Sequence, residues 1–153
     1  MTARWGIAAA VVAGLALCGC SGTDEKAEGA WGRAREGIQA MLYSPRATVK
    51  AGEPIEIHVR LRNAKGEINS YRSSADVALT ISRGDEAVGD DVDYVTLAPA
   101  AIELPPGHTH AALLKTYSTE KGKAKFCGEP GFYRFVGKLN ELDLPALEIH
   151  VQP

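Results

Sequence analysis

Cysteine is scarce in this 153-residue chain: two residues stand close together at Cys18 and Cys20, and the third is alone at Cys127. No pair beyond Cys20 can close an intramolecular disulfide. No second ligand cluster follows that would make Cys18 and Cys20 half of a metal or redox centre. Long apolar runs are missing too. The uncharged stretch Gly6–Leu17 would rise about 18 Å as a helix, short of the ~30 Å hydrocarbon core of a bilayer. A basic excess is absent: 17 Lys and Arg stand against 19 Asp and Glu. Such a surface has no electrostatic reason to bind nucleic acid or to lie flat on anionic lipid. No serine sits in a Gly-x-Ser-x-Gly elbow, and neither a His-Glu-x-x-His motif nor a glycine-rich phosphate loop occurs. These absences argue against an enzyme and imply no cofactor.

What is present begins with an address. Arg4 and the amino terminus precede the short apolar run, the pattern of a signal-peptide core. Leu17-Cys18-Gly19-Cys20 follows at once, and it resembles the lipobox of bacterial lipoproteins. That resemblance implies a signal peptide over 1–19, with Cys20 as the first mature residue, carrying diacylglycerol and a palmitate-type acyl chain. Cys18 stands where Ala, Ser or Thr is usual. Several acyl chains at roughly 0.8 kcal/mol per buried CH₂ make such an anchor effectively permanent. The membrane is then a partner through the lipid on Cys20, and the protein belongs to the cell envelope. Ser21 in place of Asp after the cysteine implies outer-membrane sorting if the organism is Gram-negative.

Residues 20–30 include the polar stretch Ser21–Gly29, "SGTDEKAEG", which lacks large apolar groups and reads as a disordered tether. Removing 1–19 leaves 16 Lys and Arg against 19 Asp and Glu, a net charge of −3. Residues 31–153 have the length of one domain, with no repeat and no composition break.

Alternation dominates that body. In "GEPIEIHVRLRN", Ile55, Ile57, Val59 and Leu61 alternate with Glu56, His58, Arg60 and Arg62. Period two predicts a strand with one buried face. "DVALTIS" (Asp76–Ser82) turns Val77, Leu79 and Ile81 inward, and "ALEIHVQ" turns Leu147, Ile149 and Val151 inward. Further strands are predicted at Ile38–Tyr43, Tyr94–Ala98, His110–Ser118 and Gly131–Lys138. Gly, Pro, Asn and Asp clusters separate them. Ala27–Leu42 also fits helical spacing, but Gly29, Gly32 and Gly37 interrupt it at roughly 1 kcal/mol each, so an irregular lead-in to the first strand is expected. About seven short strands predict an all-β fold, a single antiparallel sandwich.

"VKAGEPIEIHVRLRN" resembles the second-strand signature of bacterial immunoglobulin-like domains. "LPPG" before a strand, then "PGFYRFVGKL" and a terminal strand, is similar to the second half of the intracellular proteinase inhibitor family. "WGRAREGIQAML" looks like uncharacterised exported bacterial proteins with such a sandwich. These resemblances imply an immunoglobulin-like β-sandwich, and Tyr133 in "PGFYRF" resembles its tyrosine corner.

Candidate chemistry is thin. His108 and His110 in "GHTHA" would share one side of a strand at i and i+2 and could hold copper or zinc. No carboxylate, Cys or Met nearby completes that site. Cys127 in "FCGEPGF" lacks the following His and Met of a blue-copper site, so a structural thiol is expected. Asp85, Glu86, Asp90, Asp91 and Asp93 could gather calcium, though a solvated acidic turn fits the spacing better. The Arg83-Gly84-Asp85 tripeptide is too short to carry an adhesion reading. His58 and His150 fall on polar strand phases and are expected to be exposed and apart. The leading expectation is a lipid-anchored, non-enzymatic interaction module whose partner is another envelope component. Its loops at Ala64–Ser74, with Tyr71 and Arg72, and at Arg83–Asp93 come first as binding surfaces. A protease inhibitor is the second reading, and copper or zinc binding through His108 and His110 the third.

Overall fold

The computed structural model describes residues 25–73, 76–88, 93–96, 100–119 and 125–153. The expected signal peptide, Cys18 and Cys20 lie outside them. The first strands are β1 (Ala27–Glu28), β2 (Ile38–Ser44), β3 (Thr48–Lys50), β4 (Ile55–Asn63), β5 (Asn69–Ser73) and β6 (Asp76–Arg83). They are followed by β7 (Glu86–Ala87), β8 (Asp93–Thr96), β9 (Ala100–Leu104), β10 (Thr109–Tyr117), β11 (Gly131–Leu139) and β12 (Leu142–Gln152). A 3₁₀ turn, Lys125–Gly128, precedes β11. Among the described residues there is no α-helix, and therefore none long and apolar enough to cross a membrane.

The strands form an all-β, sandwich-like body. One sheet has the order β1-β2-β4-β10; another runs β3-β12-β11-β6-β7, with β8 also on β6; β5 and β9 make a two-stranded ladder. The period-two pattern explains the core. Ile55, Ile57, Val59 and Leu61 of β4 join one cluster with Val77, Leu79 and Ile81 of β6 and with Leu147, Ile149 and Val151 of β12. Each fully buried aliphatic chain adds roughly 1.5–3 kcal/mol. The outward phase of β4 is covered by aromatic rings: the Arg60 guanidinium lies 4.4 Å from the Tyr43 ring centroid, and Arg62 lies 4.2 Å from that of Trp31.

Each of the seven segments read from the sequence overlaps a strand, with Leu97 and Ala98 of the segment Tyr94–Ala98 outside the described residues, and the structure adds β1, β3, β5, β7 and β9. The pairing is not wholly antiparallel: β3 runs parallel to β12, with Val49 opposite Val151. Ala27 and Glu28, placed in the tether from composition, pair with Ser44 and Tyr43 of β2, and Ala27 is buried. Gly29 and Gly32 then run on along β2, their N–H groups donating to Leu42 and Ala40 carbonyls. A Cβ on Gly32 would stand 2.1 Å from the Asp143 carbonyl oxygen. The glycines that spoil a helix are therefore what lets this segment slot between β2 and β12. The sequence reading also began the last strand too late, at Ala146. Pro145 argues against a strand, but it sits at a bulge, where the register of β11 on β12 slips between Phe135 and Gly137.

Two turn motifs have clear physical roles. In "AGEP", the Glu53 carboxylate accepts the Lys50 N–H at 3.1 Å and pairs with Arg46 at 2.9 Å. The Lys50 N–H, more than the Arg46 charge, holds the Glu53 carboxyl below its ordinary range. Asn63, which ends β4, is buried. Its Nδ2 donates to the Glu67 and Leu104 carbonyls at 2.6 and 2.8 Å, and its Oδ1 accepts the Lys65 N–H. It welds the β4–β5 turn to the end of β9.

Candidate functional site

The two histidines read as a possible metal pair differ in setting. His108 lies in the turn before β10, where its N–H donates to the Pro105 carbonyl at 3.1 Å, and it is exposed. Only His110 is in the strand, opposite Leu61 and therefore on the core-bearing side. Same-side strand geometry fails because β10 begins at Thr109. Among the described residues no group of three His, Cys, Asp or Glu could hold a metal ion.

Cys127 is fully buried in the 3₁₀ turn, and burial pushes its thiol up to about 11. At neutral pH it is an inert core thiol. Of the acidic cluster, Asp85 and Glu86 are exposed in the β6–β7 turn, with Glu86 3.9 Å from Arg83. Asp90 and Asp91 lie outside the described residues, and Asp93 opens β8. His58 and His150 are half-buried rather than exposed. Tyr43 and Glu56 flank His58 at 3.4 and 3.3 Å, and His150 stacks on Phe132 at 4.2 Å between ring centroids. They belong to different sheets.

Tyr133 behaves as its resemblance implies. Its ring is fully buried, and its hydroxyl lies 2.8 Å from both the Phe126 and the Glu129 carbonyl oxygens. Burial raises the phenol above its ordinary value, partly opposed by Arg83. Arg83 in turn pairs with Glu129, which raises the guanidinium. This corner locks the approach to β11.

A concavity of about 360 Å³ opens at the other end of the body. Two hairpin tips and a strand build it. Arg35 and Ile38 exchange both backbone hydrogen bonds, at 2.9 and 2.8 Å, across a two-residue loop. Its residues, Glu36 and Gly37, have φ of 49° and 81°, the backbone of a type I′ turn. The second tip is Asn140–Glu141, between β11 and β12, with Asn140 at φ 54°. Four successive residues of β5, Asn69 to Arg72, form the wall between them. Two asparagines suspend β5 from the tips: Asn69 Nδ2 donates to the Glu36 carbonyl at 2.7 Å, and Asn140 Nδ2 donates to the Tyr71 hydroxyl at 3.1 Å. Ile38 and Leu142 supply a buried floor.

The wall is electrically mixed. Arg35 and Arg72 bring positive charge and Glu36 and Glu141 negative charge. Among the described residues none of the four is in an ion pair. Burial raises the Tyr71 phenol above its ordinary value, so it stays protonated at neutral pH. Such groups suit a polar ligand that both donates and accepts hydrogen bonds.

The polar segment Ala64–Ser74 contributes Tyr71 and Arg72 to this concavity, while Glu86 of the other selected loop takes no part in it. Arg35, Glu36, Asn140 and Glu141 went unread in the sequence. "EG" before an alternating run and "NE" between two such runs are the hairpin signals that mark them.

No family model and no curated protein matches this chain. Solved structures with some likeness include a β-glucosidase of Erythrobacter marinus, at 16% identity and TM-score 0.44, covering 74% of this chain and 15% of that one. A Paenibacillus cycloisomaltooligosaccharide glucanotransferase is similar at 17% identity and TM-score 0.43, covering 74% and 14%. A Kluyveromyces marxianus β-glucosidase follows at 15% identity and TM-score 0.43, covering 76% and 14%. This chain thus spans about a seventh of those proteins, and at these scores the likeness carries no argument about fold or activity.

Proposed function

We propose that the chain is a lipid-anchored cell-envelope protein whose immunoglobulin-type sandwich is a non-enzymatic interaction module. The observation that carries the fold part is the strand order. β2-β4-β10 lies across one core from β12-β11-β6, while β3 leaves the first sheet's side to pair in parallel with the last strand. The Tyr133 corner supports the same reading. The anchor part is supported by Leu17-Cys18-Gly19-Cys20. The concavity supports the interaction part, since it is built from hydrogen-bonding and charged groups of both signs.

β1 and the concavity lie at opposite ends of β2. Six residues lie between Cys20 and β1, and the seven steps from Cys20 to Ala27 reach at most about 23 Å. From Ala27 the chain runs along β2 toward the Glu36–Gly37 tip, which borders the concavity. Labelling expressing bacteria with radioactive palmitate tests the anchor. Wild type incorporates label and fractionates with membranes, whereas Cys20→Ala does neither. An unlabelled wild-type chain would remove the anchor from this account.

A further inference from the structure

We infer that a partner's extended peptide segment adds as a strand to the free edge of β5. The placing of that site on an anchored envelope protein rests on the reading above; the binding itself does not. β5 pairs with β9 along one edge, in five unbroken register pairs from Asn69↔Leu104 to Ser73↔Ala100, and among the described residues with no strand along the other. Successive side chains of a strand point to opposite faces. Asn69, Ser70, Tyr71 and Arg72 border the concavity in succession, with Asn69 and Tyr71 half-buried toward the body and Ser70 and Arg72 exposed, so the concavity runs along the length of the strand. Among the described residues, no backbone hydrogen bond outside the β9 ladder uses the main chain of Asn69–Ser73.

Unpaired edges invite strand addition unless they are guarded by shortness, a bulge, Lys or Pro. Several other edges carry such guards, and β9, with 5 residues, and β8, with 4, border no part of the concavity. β1 and β7 have 2 residues and β3 has 3, while β10 carries a bulge between Leu113 and Lys115. Asn69–Ser73, "NSYRS", has none of them. Its free edge opens into a recess with a polar rim, which keeps out a broad sheet and admits one chain. The occupant's chemistry follows from that rim. Main-chain N–H and C=O groups meet the edge, and charged side chains of both signs meet Arg35 and Arg72 on one hand and Glu36 and Glu141 on the other.

The test uses the full-length chain in lipid vesicles as bait for a phage-displayed library of random twelve-residue peptides. Enriched peptides are synthesised and N-methylated one amide at a time. Strand addition predicts an alternating profile, with affinity falling roughly tenfold at every second amide and unchanged between them. The bound peptide slows hydrogen exchange at alternate β5 amides, and Arg72→Glu weakens peptides bearing a cationic residue at the facing position less than those bearing an acidic one. A flat methylation profile, no enrichment, or protection of the same amides by a neutral glucan oligosaccharide overturns the proposal. So does a dimer of the chain that forms through β5. Running Cys20→Ala in parallel separates the two readings. Peptide binding without palmitate incorporation removes the anchor and keeps the site; palmitate incorporation without any selected peptide does the reverse.

Discussion

Two tyrosines mark the contrast between the ends of this molecule. Tyr133 is fully buried, its hydroxyl engaged by two carbonyls, beside a buried thiol. Tyr71 is half-buried and accepts one hydrogen bond from Asn140, and among the described residues its own proton has no acceptor. Around Tyr133 the polar groups are closed on one another. Around Tyr71 they are held in place but left with capacity to spare, and two non-glycine residues, Glu36 and Asn140, sit at positive φ. The first arrangement stabilises the fold; the second leaves the hydrogen-bonding capacity that the proposed peptide would use.

Alkaline titration makes the largest break in that comparison. Cys127 has a reference value of 9.0, and burial lifts it to about 11. Below pH 9 both states hold the proton and its contribution is complete. Between pH 9 and 11 the unfolded chain releases the proton while the folded chain retains it, so stability falls with rising pH. Two pK units correspond to about 3 kcal/mol. Denaturant unfolding at pH 8 and 11 is expected to show that loss, and Cys127→Ala to flatten much of it. The Tyr133 phenol, also raised by burial, adds to the same alkaline loss.

Substituting the two tyrosines gives the next effect. Tyr133→Phe leaves two carbonyls without their partner and is expected to cost about 2 kcal/mol. Tyr71→Phe is expected to change stability by less than about 0.5 kcal/mol, because its hydroxyl closes no buried network. Equal losses, measured by urea midpoints, would erase the distinction between the ends. The smallest effect concerns Glu36, whose φ of 49° is unfavourable for a side chain with Cβ. Glu36→Gly relieves it and is expected to raise stability by about 0.5 kcal/mol after the entropy cost of glycine. A loss would mean that the Glu36 side chain stabilises the tip.

How much of this was legible depended on whether burial or a local backbone need chose each residue. Ile55 to Leu61 alternate because one face of β4 is in the core, so the strand and its inward residues can be read directly. β5, "NSYRS", carries no apolar alternation, since of its inward residues only Tyr71 packs on the core while Asn69 is held by a hydrogen bond to the Glu36 carbonyl. β3 is short, and its partner strand is distant in sequence. Pro145 hides the start of β12 because a bulge, which sequence does not announce, excuses it from the ladder. The site was half legible. Tyr71 and Arg72 stand out in a polar segment, but Arg35 and Asn140 reach them only through the sheet topology.

Amide hydrogen exchange on the intact chain tests the central contrast most directly. The account predicts that β4, β11 and β12 exchange only with global unfolding, while alternate amides of β5 exchange orders of magnitude faster until a peptide is bound. Uniform protection along Asn69–Ser73 in the free protein, equal to that of Ile55–Asn63, would contradict it.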